Sequence, residues 1–466
     1  MRVVATMREL QLDLPSGRGR RAAIETALRD AIRTGRLGGG TRLPSTRTLA
    51  SDLGVSRSTV VAVYEQLGAE GFVIGRHGSG TEVATVAPVV GAEDDDLLEP
   101  SPTWDFRSGE PDASAFPRRD WLRAIRQVVS DPSDRALTYP DPRGHPEVRA
   151  ALADHLARTR SVGTTAAGIF VTGGFAAGLG FVADALRRTG IDHIAVEEAM
   201  LPMHRMVLRL AGLEVTVVPV DEEGIAVHAL ADSSARAVLV TPANHYPYGI
   251  TMTAGRRADL VAWADAADGW IIEDDYDGEF RYDRRPIGAL QALAPNRVVY
   301  GGTASKTLGP GLRLGWLAVP KPLRQPLLAA VNLRAGVSVI DQLALADLIQ
   351  SGRLDRHVRE MRRRYGRRRR AVVEALGDTV PWFAPPAGLA GLHLCVPTPS
   401  LVLEEAILAR AEAADVGLLG LCNFHRAPPH RAGVTIGFSR PPAHAFDAGL
   451  ERVMAVFEAA TADMAS

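Results

Sequence analysis

Lysine is almost missing from this chain. Of its 53 basic residues only Lys306 and Lys321 are lysines. In so arginine-committed a sequence a lysine marks accident or chemistry that arginine cannot do, since arginine stays charged whereas lysine can shed a proton and attack a carbonyl. Cysteine is nearly absent too, at Cys395 and Cys422 alone, which argues against a disulfide framework and fits a reducing compartment. No apolar run nears the roughly 18 residues that cross a bilayer, and the N-terminal residues carry no signal-peptide pattern. A soluble, cytoplasmic protein without a membrane partner is expected. A large excess of either charge is lacking as well: the net charge is −1, divided as +4 over residues 1–82 and −5 over the remainder. Nucleic-acid contact is therefore expected only through the first part.

The chain does have length, 466 residues of which 46% are hydrophobic, enough for about two or three domains with sizeable cores. Near its start, Ile24, Leu28, Ala31 and Ile32 recur at helical spacing, and Gly35 ends that segment. Ser45 is placed to cap a second helix that Gly54 stops, and Ser56 to cap a third running from Arg57 through Leu67 to Gly71. Two close helices joined by a tight glycine-containing turn make a helix-turn-helix. Phe72-Val73-Ile74 and Thr81-Glu82-Val83 flank a glycine-rich tip, which reads as a hairpin wing. In that arrangement Arg57, Ser58 and Thr59 meet a major groove, Arg47 holds backbone phosphate, and His77 with Gly78 enters a minor groove.

The string Gly40-Thr41-Arg42-Leu43-Pro44-Ser45, Leu49-Ala50, Leu53-Gly54-Val55-Ser56-Arg57, Glu70-Gly71-Phe72 and Gly78-Ser79-Gly80-Thr81 resembles the GntR-type winged helix-turn-helix. That resemblance implies double-stranded operator DNA as partner, contacted at the positions just named by a dimer on paired half-sites. A winged-helix domain is expected over 1–83. Residues 84–103, with the acid run Glu93 to Asp96 and Pro100 and Pro102, read as a solvated linker.

From Trp104 to the end, strand-like and helix-like segments alternate, which predicts an α/β domain with a mostly parallel sheet and its chemistry at the carboxyl ends of the strands. Thr172-Gly173-Gly174-Phe175-Ala176 opens a helix after one strand and offers free amides to a phosphate. Glu273-Asp274-Asp275-Tyr276-Asp277 follows another. Four crowded acids call for a cation or a protonated nitrogen; a metal site and a solvated acidic turn are the rival readings, and with no histidine or cysteine nearby in sequence no metal is expected. Tyr300-Gly301-Gly302-Thr303-Ala304-Ser305-Lys306 sets one of the two lysines in a run of small residues, with Arg313 seven positions on. Lys321 lies between two prolines and reads as a surface residue.

A phosphate cradle, an acid at a strand end and a lysine with hydroxyls and a trailing arginine specify pyridoxal phosphate. Residues 105 to about 455 resemble the fold-type I aminotransferases, and the whole chain is similar to the MocR/GabR-type regulators, through Tyr139, Gly144 and Arg149, Thr241-Pro242, Ile272 to Tyr276 with Glu279-Phe280 and Tyr282, and Tyr300 to Arg313. The resemblance implies Lys306 as the Schiff-base lysine, Asp274 against the pyridine nitrogen and Tyr276 at the ring hydroxyl. It also implies Thr303, Arg313 and the amides around Gly174, Phe175 and Ala176 at the phosphate, with Tyr139 reaching it from a partner subunit of a homodimer.

Departures narrow that picture. The family's aromatic after the second strand is Leu201 here, and an arginine for substrate carboxylate is replaced by Met203, with Arg205 close by. A second carboxylate arginine, three residues before a strand phenylalanine, corresponds to Thr435 before Phe438. Losing bidentate clamps argues against transamination of ordinary amino acids. A regulator that senses pyridoxal phosphate, an amine or an amino acid is the expectation; a working aminotransferase carrying a DNA-binding module and a regulator with a cofactor-free scaffold are the alternatives. The basic stretch from His357 to Arg370, for which a second DNA contact is the rival reading, reads as an amphipathic helix with its arginines on a solvated side and Val358, Met361, Tyr365 and Val372 toward the core, and His393 and Cys395 read as packed strand residues.

Overall fold

A computed structural model describes residues 20–33, 36–76, 80–84, 101–130, 138–283, 287–332, 336–385, 388–425 and 431–465. They fall into two compact units, one within residues 1–100 and one within 101–466. Glycine 35, the wing tip at 77–79 and most of the linker lie outside the described residues.

In the first unit, helices α1 (Arg20–Arg33), α2 (Thr46–Leu53) and α3 (Arg57–Ala69) are followed by strands β1 (Val73–Arg76) and β2 (Gly80–Val83). Ile24, Leu28 and Ile32 of α1 meet Val60, Val63 and Leu67 of α3 and Leu49 of α2 in one buried core, each worth about 1.5–3 kcal/mol in removed apolar surface. The capping residues do what their chemistry dictates. Ser45 Oγ accepts the Thr48 amide at 3.1 Å, and Gly54 closes α2 in the left-handed conformation at φ 59. Ser56 Oγ accepts the Thr59 amide at 3.2 Å. The hairpin strands are displaced from the sequence reading: Phe72 donates its amide to the Leu67 carbonyl at 2.9 Å and finishes the helix end, while Gly75 and Arg76 pair with Thr81 and Gly80. The strands thus extend further into the wing than side-chain alternation indicates.

The second unit is built on seven strands: β3 (Ile169–Thr172), β4 (His193–Glu197), β5 (Glu214–Val218), β6 (Ala237–Val240), β7 (Trp270–Asp274), β8 (Val298–Thr303) and β9 (Gly315–Ala318). Their order across the sheet is β3-β9-β8-β7-β6-β4-β5, parallel except that β9 runs against both neighbours. Continuous apolar runs such as Val-Val-Tyr of β8 are what a sheet covered on both faces requires, and β3, β6, β7, β8 and β9 are buried at every position. Helix α4 (Phe175–Arg188) leaves β3, and α5 (Pro202–Leu210) follows β4. Because β3, β4, β7 and β8 all run in the same direction, their carboxyl ends lie on one side of the sheet.

Helix α6 (Arg353–Thr379) buries Leu354, Val358, Met361, Tyr365, Val372 and Leu376, as its apolar register requires. Its arginines are not all solvated: Arg368 lies 4.9 Å over the Phe446 ring and donates to Asp112 at 3.2 Å, and Arg369 donates to the Gly388 carbonyl at 2.8 Å. Three antiparallel strands, β10 (His393–Thr398), β11 (Leu419–Gly420) and β12 (Ala432–Gly437), form a smaller sheet in the order β10-β12-β11. Among the described residues no helix is long and apolar enough to cross a membrane.

Candidate functional site

The acids at the end of β7 are all buried, so the solvated-turn reading fails. Three of them are satisfied inside the protein. Glu273 accepts the Leu290 and Gln291 amides at 2.7 and 2.9 Å. Asp275 is gripped by Arg160 through Nε at 2.6 Å and Nη2 at 3.0 Å, and accepts the Tyr300 hydroxyl at 2.9 Å. Asp277 accepts Asn244 Nδ2 at 2.8 Å. Asp274 differs: its Oδ1 has no hydrogen-bond partner among the described residues. Burial raises its pKa well above the carboxylate range, Lys306 pulls it back, and Asp275, Asp277 and Glu197 push it further up. Among the described residues no group of three or more histidine, cysteine or acidic side chains is arranged as a metal site.

Lys306 stands just past the end of β8, in the turn that leads back to β9. Its amine donates to the Gly109 carbonyl. Burial lowers its pKa, and Asp274, Asp277 and Glu110 oppose that effect, so the two residues that the sequence analysis put closest to the chemistry act on one another. Thr303, the last residue of β8, donates to the Leu314 carbonyl at 3.2 Å and accepts the Ser305 amide at 3.1 Å, which fixes the turn. Lys321 is exposed in a short helical turn.

Opposite this turn, Thr172 Oγ1 donates to the Gly174 carbonyl at 3.0 Å, and Gly174 takes φ 94 to begin α4 at Phe175. A Cβ on Gly174 would come 3.7 Å from the guanidinium carbon of Arg313, which is itself exposed. The free amides of the α4 start and one guanidinium therefore share a small space, an anion site by geometry and dipole. Tyr276 is held on the other side: its hydroxyl donates to the Asn244 carbonyl and accepts from Asn244 Nδ2, both at 3.0 Å. Tyr139 is fully exposed and is not brought to the site.

Sequence reasoning missed several neighbours. His204 of α5 places Nδ1 3.8 Å from Asp274 Oδ2 and its ring edge-on to Phe175 at 5.2 Å, and burial lowers its pKa to about 4. Its one sequence signal is position, on the helix that follows β4. Tyr246 packs edge-on against Tyr276, His393 and Phe424. His393 is buried and its Nε2 meets the Pro247 carbonyl at 2.9 Å, so it packs as read; Cys395 is partly buried on the same strand.

In the first unit, Arg47 of α2 and Arg57 and Ser58 of α3 are exposed. Arg57 Nε reaches Thr46 Oγ1 at 3.4 Å, which aims its guanidinium from the start of α3 across α2. Ser56 Oγ bonds Ser58 Oγ at 2.8 Å and Thr59 Oγ1 at 2.7 Å, so both hydroxyls are shared with the helix cap. His77 and Gly78 lie outside the described residues.

Comparison with known proteins accounts for both units. Residues 20–83 match the family described as bacterial regulatory proteins, gntR family, and residues 101–414 match aminotransferase class I and II. The HTH-type pyridoxine biosynthesis transcriptional regulator PdxR of Corynebacterium glutamicum is 35% identical over 82% of this chain and 85% of its own length. The probable rhizopine catabolism regulatory protein MocR of Rhizobium meliloti is 32% identical over 88% of each chain. The second unit has the fold of an archaeal alanine:glyoxylate aminotransferase, with a TM-score of 0.69 at 22% identity, covering 76% of this chain and 90% of that one. The chain belongs to the GntR-type transcriptional regulators that carry an aminotransferase class I and II domain, the MocR-type family.

Proposed function

We propose that this regulator holds pyridoxal phosphate on Lys306 and that occupancy of this site, by the cofactor itself or by an amine or amino acid meeting it, controls how a homodimer engages operator DNA in the cytoplasm. The observation that carries the reading is the contrast among the four acids at the end of β7. Three have partners within the protein, whereas Asp274 keeps an orphaned, buried oxygen and is acted on by the charge of Lys306. A protonated ring nitrogen is what such an oxygen lacks.

The surrounding residues fit the rest of the cofactor. Thr303, Arg313 and the amides of Gly174, Phe175 and Ala176 are assigned to its phosphate, Tyr276 to its ring hydroxyl and Lys306 to its aldehyde carbon. When bound, the group supplies an electrophilic carbon that captures primary amines. What the chain contributes is placement and protonation. Burial lowers the pKa of the Lys306 amine and makes it a better nucleophile than a surface lysine. The Gly109 carbonyl orients that amine. Asp274 holds a proton on the ring, and the ring cluster of Tyr246, His393 and Phe424 keeps water from that side. Tyr139, exposed in its own subunit, is assigned to a partner's phosphate.

Regulation requires that the effector bind one arrangement of the dimer better than another; equal affinity for both would shift nothing. The test is an absorbance titration of wild type and Lys306→Ala with pyridoxal phosphate. A visible band that depends on the lysine is expected, and identical spectra would sink the assignment. Sustained release of keto acid from an amino donor would instead favour an active aminotransferase.

A further inference from the structure

The arginines of α6 divide into two sets. Arg353, Arg364 and Arg368 pair with Asp347 and Asp112, and Arg362 and Arg369 donate to the carbonyls of Glu279 and Gly388. The side chains of Arg356, Arg359, Arg363, Arg367 and Arg370 are exposed and have no hydrogen bond or ion pair among the described residues. Residues three, four and seven apart share one helix face. These five therefore form a single stripe along α6, about 21 Å long at 1.5 Å per residue.

A second helix extends the stripe. Arg119, Arg123 and Arg126 of the helix Arg118–Val129, at the same spacing, are exposed and without partners among the described residues. With Arg356, Leu122 and one acid, Asp120, they line an open trough of about 900 Å³. Eight exposed arginines, five on α6 and three on this neighbour, thus meet at Arg356, in a part of the chain whose net charge is −5. The sequence could not show that the two sets adjoin.

Such charge works against the helix that carries it. Arg359, Arg363 and Arg367 stand four residues apart, where like charges repel. The acid among them, Glu360, is turned to Arg364 at 3.8 Å. An unneutralised stripe of this kind suits an external polyanion, which gives up its condensed counterions on binding. The stripe is open along its length, which fits an extended phosphate backbone better than a small anion; its span equals about six base pairs of duplex at about 3.4 Å each.

We propose that this face of the second unit binds the phosphate backbone of duplex DNA, a contact separate from that assigned to Arg47 and Arg57. The choice of duplex rests on the operator-binding reading above; the cofactor reading does not enter. Phosphate contacts carry no sequence information, so base reading stays with the first unit.

The test is fluorescence anisotropy of the full-length protein on random duplex of about 50 base pairs across a salt series. Arg363→Gln/Arg367→Gln/Arg370→Gln removes three charges from the stripe, and Arg188→Gln/Arg209→Gln/Arg452→Gln removes three exposed arginines elsewhere in the same unit. The stripe variant is expected to bind about tenfold or more weakly at low salt and to lose about two to three from the slope of log affinity against log salt, at about 0.9 per phosphate. The control is expected to match the wild type. An unchanged slope in the stripe variant, or an equal loss in the control, overturns the proposal. Arg47→Ala on the same duplex separates the two contacts: a loss there alone leaves the operator reading standing and removes this one, whereas no loss in either variant removes both. Should the stripe variant fail to fold by circular dichroism, Arg119→Gln/Arg123→Gln/Arg126→Gln carries the same expectation and decides.

Discussion

Arg160 and Asp275 form a bidentate ion pair that is almost wholly enclosed, at 2.6 and 3.0 Å, one residue beyond Asp274. Tyr300, in the neighbouring strand β8, donates to the same carboxylate, so the pair ties together the two strands that present Asp274 and Lys306. Removing one member strands a buried charge. Asp275→Asn is expected to destabilise the second unit by about 3–5 kcal/mol, and Tyr300→Phe by about 1 kcal/mol, measured by urea unfolding followed through near-ultraviolet circular dichroism. Near-equal effects of the two substitutions would show that the ion pair is not what holds these strands.

Stability of the cofactor-free protein should pass through a maximum and decline on the alkaline side. Burial raises Glu197 and Asp277 to about 8. In the folded state these acids keep protons that the unfolded chain releases above about pH 4, so stability falls as pH rises towards 8. Burial lowers His204 and His393 to about 4 and His245 to about 3; the unfolded chain then binds more protons, and stability rises with pH up to about 6.5. Between roughly pH 6.5 and 8 the histidines are neutral in both states, and the buried acids drive the change. Thermal midpoints should fall over that interval, and a midpoint that climbs through it would contradict the assignment of buried neutral acids.

Arg57 and Arg47, the residues proposed to meet DNA, are both exposed but stand on different helices. Arg57→Ala should cost about 1–3 kcal/mol on a cognate operator and little on random duplex, because a base contact carries sequence information. Arg47→Ala should weaken both alike and reduce the salt dependence by about one counterion. Fluorescence anisotropy across a salt series separates the two, and a uniform loss from Arg57→Ala would move that residue from base reading to phosphate contact.

Much of this was legible in the sequence because the relevant signals are local. Ser45, Ser56 and Gly54 announce helix ends by their own chemistry, and the buried runs of β3, β6, β7 and β8 announce a covered sheet. The tie of Glu273 to Leu290 and Gln291, and of Asp275 to Arg160, was not legible, since the partners lie 17, 18 and 115 positions away. Those distant partners separate Asp274 from its three neighbours, which in sequence form one undifferentiated acid cluster. His204 was hidden for the same reason: nothing local distinguishes a histidine pointing at a carboxylate from one packed in a helix. The arginines of α6 misled in part, because Arg368 and Arg369 find partners on Asp112 and Gly388 that no periodicity reveals.

The phosphate cradle gives the sharpest single-atom prediction. Gly315, the first residue of β9, passes so close to the start of α4 that a Cβ there would stand 2.8 Å from the Gly174 backbone and 3.0 Å from Thr172 Oγ1. Neither neighbour can swing aside as a long side chain would, because Thr172 is already bonded to the Gly174 carbonyl. Gly315→Ala must therefore push the Gly174 turn away from Arg313, spreading the donors assigned to the phosphate at an overpacking cost of about 1–3 kcal/mol. Affinity for pyridoxal phosphate should drop by about tenfold or more, read by titration of the lysine-dependent visible band, while the affinity of the cofactor-free protein for random duplex DNA is unaltered. Gly311→Ala is the matched control: it lies in the same connection, and a Cβ there meets nothing within 4 Å. Wild-type affinity in Gly315→Ala would show that the phosphate is held elsewhere.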